Sequence, residues 1–123
     1  MRKRVLGIAL VALLALTAAA SVAVAGHAAK GTVLRIKTDK ILLKYNVSKL
    51  KAKAGKITIV MTNISPLPHD VAIKGHGVHV KGKTVGKGGQ SRVTVTLKKG
   101  TYEFYCTLPG HEAAGMKGTL TVT

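Results

Sequence analysis

The chain has 123 residues, 20 of them Lys or Arg against 4 Asp or Glu, for a net charge of +16. A chain of that length builds one hydrophobic core, which excludes a two-domain enzyme, and its single cysteine cannot close an internal disulfide. So large a positive excess implies attraction to something anionic: an acidic protein, a polyanionic wall or membrane surface, or nucleic acid.

The first element is an export signal. Met1-Arg2-Lys3-Arg4 puts three positive charges ahead of an apolar run, Val5 to Ala25, whose only polar side chains are Thr17 and Ser21. The run closes on Ala23-Val24-Ala25, an A-x-A cleavage pattern, so residues 1–25 read as a signal peptide and 26–123 as the mature domain. Kept in place, the same run is long enough to anchor the chain in a bilayer. Either outcome places the domain outside the cytoplasm, in a periplasm, in the extracellular space or at the cell surface. The three basic residues of the head leave 17 of the 20 for the domain; against four acidic ones its net charge is +13.

Beyond Gly26 the pattern is period 2 throughout, with no long helical stretch. Leu34 and Ile36 share a face, as do Leu43, Tyr45 and Val47, then Ile57, Ile59 and Met61, then Val93, Val95 and Leu97, and finally Leu120 and Val122. Turns are expected at Ala54-Gly55-Lys56, Lys87-Gly88-Gly89 and Lys98-Lys99-Gly100. The Gly- and Lys-rich stretch from Lys74 to Gly89 reads as a strand with long loops. Seven or eight short strands without an internal repeat predict an all-β, two-sheet antiparallel sandwich.

Strand phase also orients the candidate functional residues. His69 is in register with Val71 and Ile73, Cys106 with Tyr102 and Phe104, and Met116 with Leu120 and Val122, so all three should point inward near strand ends. Cys106, His111 and Met116 follow a Cys-x4-His-x4-Met spacing within one loop, and His69 comes from a strand well upstream. Taken singly, each has a plainer reading: a Met as core filler, a His as a hydrogen-bonded core residue, a buried Cys as a small hydrophobe. Together, two imidazoles, a thiolate and a weak thioether suit copper in both oxidation states and an electron-transfer site, whereas zinc calls for further Cys or His ligands.

These same segments resemble the cupredoxin family, in particular its small blue copper proteins. GTYEFYC (Gly100 to Cys106) and HEAAGMKGTLTV (His111 to Val122) are similar to plastocyanin; CTLPGH (Cys106 to His111) is similar to azurin; and TNISPLPHDVAI (Thr62 to Ile73) resembles the segment that ends in the family's first histidine. The resemblance implies a Greek-key sandwich and one type 1 copper per chain. It makes His69 and His111 the nitrogen ligands, Cys106 the thiolate and Met116 the axial ligand, without a fifth from a backbone carbonyl. It also makes His111 the electron port, ringed by Leu67, Leu108 and Pro109, and gives Thr107 a place in the hydrogen bonding of the ligand loops. Where the family usually has Asn after the first histidine, this chain has Asp70. A carboxylate there is expected to favour Cu(II) and lower the potential.

The function expected is that of a monomeric one-electron carrier cycling between Cu(II) and Cu(I), and not an enzyme; the alternative is an extracytoplasmic copper-holding or copper-delivery protein. A copper enzyme would need a second copper with its own histidine cluster. Only His27, His76 and His79 remain for one, and His76 and His79 read as surface residues. With one Phe, three Tyr and no Trp, the chain offers no aromatic platform for nucleic acid. The expected partners are acidic redox proteins, with attachment to an anionic membrane or wall surface as a further use of the charge.

Overall fold

A computed structural model describes residues 30–123. The expected signal, residues 1–25, lies outside the described residues. Eight strands form: β1 (Thr32–Lys37), β2 (Lys49–Ala52), β3 (Gly55–Thr62), β4 (Ala72–Gly75), β5 (Val78–Lys81), β6 (Gln90–Leu97), β7 (Gly100–Tyr105) and β8 (Lys117–Val122). They make a three-stranded sheet in the order β1-β3-β6 and a five-stranded sheet in the order β2-β8-β7-β4-β5.

The expected two-sheet sandwich is therefore what the chain adopts, with one addition. Four of the strand pairings are antiparallel, while β1 with β3 and β2 with β8 run parallel. The chain explains this. It leaves β1, crosses to the other sheet for β2 and returns for β3, so the reversing strand sits elsewhere and β1 and β3 point the same way. Every strand consequently runs between two poles, one next to residues 69 and 106 and the other at the 53–56 and 98–100 turns.

Alternation puts the predicted faces together. Ile36, Ile57, Ile59, Met61, Val93 and Leu97 of the smaller sheet meet Ala52, Ile73, Tyr102, Phe104, Leu120 and Val122 of the larger one in one core. Burying each large apolar side chain contributes about 1.5–3 kcal/mol. The core continues to one pole through Val71, Cys106 and Met116, all fully buried. The last strands of the core thus lead straight into the ligand candidates.

Residues 39–48 depart from the sequence reading. Leu43, Tyr45 and Val47 do not form a strand; the segment is a series of bends, bridged to the chain just beyond β1 at Thr38–Tyr45 and bonded to the end of β1 through Asn46 and Lys37. Local side chains compete for the backbone here. The Asp39 carboxylate accepts the N–H groups of Ile41 and Leu42 at 2.8 and 2.9 Å, and Asn46 Oδ1 accepts that of Lys37 at 2.9 Å. Tyr45 still reaches the core, where its ring lies 5.6 Å from that of Phe104. In the Lys74 to Gly89 stretch, expected as a strand with long loops, β4 and β5 form a tight hairpin across His76 and Gly77, both at positive φ (48° and 76°), as a twisted two-residue turn requires.

Gly118 shows how closely β7 and β8 approach. A Cβ there would lie 2.2 Å from Phe104 Cζ and 2.7 Å from the Ser48 carbonyl oxygen. Gly118→Ala is expected to cost about 1–3 kcal/mol by overpacking, read as a lowered denaturation midpoint. An unchanged midpoint would mean that Phe104 moves freely, contrary to its full burial.

Candidate metal centre

Three of the four predicted ligands converge on a point. His69 Nδ1 and His111 Nδ1 are 3.2 Å apart, and Cys106 Sγ lies 3.9 Å from the first and 3.4 Å from the second. All three ligand atoms fall within 4.8 Å of one another. His69 and Cys106 are buried and His111 is half-buried, so the cluster closes inward and opens at one imidazole.

The backbone arranges this. His69 follows two prolines in Pro66-Leu67-Pro68 and exchanges both backbone hydrogen bonds with Val85, at 3.1 and 2.9 Å, which pins it to the loop ahead of β6. Cys106 directly follows β7, and its N–H donates to the Met116 carbonyl at 3.1 Å. The Met116 N–H in turn donates to the His111 carbonyl at 3.0 Å. These bonds fold Cys106 to Met116 into a closed loop. Met116, the fourth predicted residue, is fully buried in the same core as Cys106.

Nothing in the surroundings makes His69 an ordinary core histidine. Its Nε2 is buried and has no hydrogen-bond partner among the described residues, and its Nδ1 faces only His111 and Cys106. Two imidazole nitrogens and a sulfur aimed at one another repel as bare lone pairs and bind as ligands; a cation between them resolves the arrangement. The donor set fits copper. Burial pushes the Cys106 thiol up from its ordinary pKa, opposed by the backbone N–H groups of Asp70 and Leu108. Burial, with His111 beside it, holds His69 below the usual histidine range. Because a thiol must lose its proton to bind a metal, metal uptake at Cys106 releases a proton.

Asp70, the departure from the family pattern, does more than the sequence reading gave it. Its side chain is fully buried, Oδ1 accepts the Thr107 N–H at 2.7 Å, and Oδ2 accepts the hydroxyls of Thr107 and Thr84. Its carbonyl accepts the Tyr45 hydroxyl at 2.7 Å. The residue thus ties the His69 segment to the Cys106 loop, the loop carrying Thr84 and the core. Thr107 is placed as expected, within the hydrogen bonding of the ligand loops.

Asn63 was missed. Fully buried, it donates to the carbonyls of Leu67 and Val85 at 2.8 and 2.9 Å and accepts from Thr38 and the Ser65 N–H. It holds the two segments that fix His69. The Asn-x-Ser turn signal at Asn63-Ile64-Ser65 was the one local hint.

On the surface, His111 is flanked by exposed Pro109 and half-buried Leu108, and Leu67 is 49% exposed. A depression of about 380 Å³ follows the loop from Cys106 through Pro109 to Ala113. His76 and His79 are exposed, as expected: His76 packs edge-on against Tyr102 with centroids 5.2 Å apart, and His79 Nε2 lies 2.6 Å from the Tyr105 hydroxyl. Neither joins the cluster.

Known proteins share this fold. Auracyanin-B of Chloroflexus aurantiacus is 75% identical over 28 residues, which are 23% of this chain and only 12% of that protein. Among solved structures, dithionite-reduced auracyanin from Roseiflexus castenholzii superposes with a TM-score of 0.68 at 28% identity, covering 75% of this chain and 97% of that one. Auracyanin A, a "blue" copper protein of Chloroflexus aurantiacus, has the same fold at a TM-score of 0.67 and 22% identity, covering 76% of this chain and all of that one. Residues 32–123 match the family described as copper binding proteins, plastocyanin/azurin family. With its sandwich, its His69, Cys106 and His111 cluster and that match, the chain belongs to the plastocyanin/azurin family and binds one copper.

Proposed function

We propose that this protein is an exported one-electron carrier in which His69, Cys106 and His111 hold the copper and Met116 is its weak axial ligand. The observation that carries the reading is the convergence of two imidazoles and one thiolate within 4.8 Å, in a loop closed by backbone hydrogen bonds. Bound copper supplies the one-electron chemistry between Cu(II) and Cu(I). The protein's part is to hold the ligands so that neither oxidation state requires them to move. His69 is fixed by Val85, Cys106 by Met116, and both segments by Asp70. His111, the half-buried ligand, is the route for the electron to the surface, and the exposed apolar side chains beside it give a partner a dry contact. A site buried at two of its ligands and open to the surface only at the third suits a carrier better than an enzyme.

Met116 as an axial donor is a soft, distant thioether that favours Cu(I). Met116→Gln is expected to retain copper and lower the reduction potential, measured by voltammetry. A potential that stays put or rises would make Met116 core packing only.

The partners proposed are acidic redox proteins. The positive excess cannot be neutralised by Asp39, Asp70, Glu103 and Glu112, and Glu112 and Glu103 are themselves occupied by Lys74, at 2.6 and 3.8 Å. A positive field extending into solvent raises association rates by about 10–10³-fold and weakens as the Debye length shrinks to about 10 Å at 0.1 M salt. Stopped-flow electron transfer should slow with salt for an acidic partner and speed up for a basic one. Rates indifferent to salt with both would remove steering from the account.

A further inference from the structure

The two poles of the sandwich differ in their acidic side chains. At the pole opposite the metal centre, the chain enters β1 at Lys30, turns from β2 into β3 through Lys53, Ala54, Gly55 and Lys56, and turns from β6 into β7 through Lys98 and Lys99. All five lysines are exposed. The registers bring them to one face: Gly55 pairs with Leu97, and the Ala54 N–H donates to the Thr123 carbonyl beside Val122, which pairs with Gly100. Lys30, Lys53 and Lys56 border a single hollow of about 210 Å³, and Lys98 and Lys99 border another of about 310 Å³.

No carboxylate side chain answers them. Asp39, Asp70 and Glu112 lie at the metal pole, and Glu103, midway along β7, is within 3.8 Å of Lys74. The only side-chain ion pairs among the described residues are those of Lys74. Five unpaired lysines stand around two hollows whose lining holds no arginine and, as aromatic side chains, only His76 and the buried Tyr102, so the cluster lacks the exposed aromatic platform or the bidentate arginines that read a nucleic acid or a particular peptide.

The position of the preceding segment identifies the occupant. Residues 1–29 join the domain at this same pole, and their apolar run ends at Ala25, four residues ahead of Ala29. Four extended residues reach about 14 Å at most, so a run retained in a bilayer would hold these lysines close to the headgroups. Where the run is cleaved, the pole still carries five exposed lysines with no acidic side chain among them. Polybasic clusters adjoining a membrane segment are attracted to anionic lipid within about a Debye length of the surface.

We infer that the pole formed by Lys30, Lys53, Lys56, Lys98 and Lys99 docks on an anionic lipid surface, standing the sandwich upright with His111 directed away from the membrane. This deepens the proposed function: one end of the molecule holds the lipid and the other meets redox partners, so the two uses of positive charge do not compete. The inference rests on that reading for its purpose, but its test does not involve electron transfer.

The full chain, copper-loaded, is placed in lipid nanodiscs of pure phosphatidylcholine and in others containing phosphatidylglycerol, and lysine acylation rates are read residue by residue from peptide masses. The apolar run is present in both, so the comparison isolates lipid charge. Expected is a several-fold slowing at Lys53, Lys56, Lys98 and Lys99 in the anionic discs, reversed by high salt, with Lys83, Lys87 and Lys117 at the metal pole unchanged. Substituting Lys98→Gln and Lys99→Gln, in an exposed turn that should not disturb folding, is expected to weaken the protection at Lys53 and Lys56 as well. Equal rates in both discs, protection of the metal-pole lysines instead, or protection that appears only when an acidic protein is added would each overturn the inference.

Discussion

Cys106→Ser is expected to abolish the visible absorption of the copper-loaded protein while leaving the fold in place. In the structure Cys106 Sγ is clustered with the two imidazoles, fully buried and 3.4 and 3.9 Å from their nitrogens. Intense colour at such a site comes from charge transfer out of a thiolate. A serine hydroxyl is nearly the same shape but is a hard donor that stays protonated at neutral pH, so it offers neither the transition nor a strong bond to Cu(I). Circular dichroism should confirm an unchanged sandwich, because Cys106 follows β7 rather than pairing within it. Colour that survives the substitution would take the thiolate out of the site.

Asp70→Ala carries the largest expected loss of stability. Its carboxylate accepts three hydrogen bonds, from the Thr107 N–H, the Thr107 hydroxyl and the Thr84 hydroxyl, and stands fully buried between the segments that present His69 and Cys106. Hydrogen bonds to a charged group contribute about 1.5–3 kcal/mol each, so losing the two from Thr107 should cost roughly 3–6 kcal/mol. Chemical denaturation measures this directly, and a variant as stable as the parent would contradict the linking role. Asp70→Asn separates stability from electrostatics. Its amide oxygen can keep the Thr107 N–H, and the two hydroxyls can turn to accept from the amide, so stability should largely survive. Losing a negative charge beside the ligands removes a preference for Cu(II), and the potential should rise.

Much of this site was legible because strand periodicity is a local property. The alternation through Tyr102, Phe104 and Cys106, and through Val71 and His69, requires only that the backbone be extended, and all five side chains are buried as their phase predicts. The same logic failed at Leu43, Tyr45 and Val47. There Asp39 and Asn46 supply side-chain acceptors that bend the chain, and alternation without a partner strand does not make a strand. Strand order was beyond reach for a different reason. The parallel pairing of β1 with β3 depends on β2 joining the other sheet, a choice made by contacts far apart in sequence. The anchoring of His69 by Val85 and Asn63 is equally non-local, with separations of 16 and 6 residues bridged only once the loops close. Asp70 could be seen to differ from its family's usual residue, but its three donors could not be counted until Thr84 and Thr107 were brought beside it.

Visible spectroelectrochemistry on the purified, copper-loaded protein tests the central claim most directly. One copper per chain should give an intense blue band that bleaches on taking up one electron and returns fully on reoxidation, cycle after cycle, with no loss of metal. A colourless loaded protein, or a band that fails to return because copper leaves on reduction, would contradict an electron carrier and point to a protein that holds or hands over copper instead.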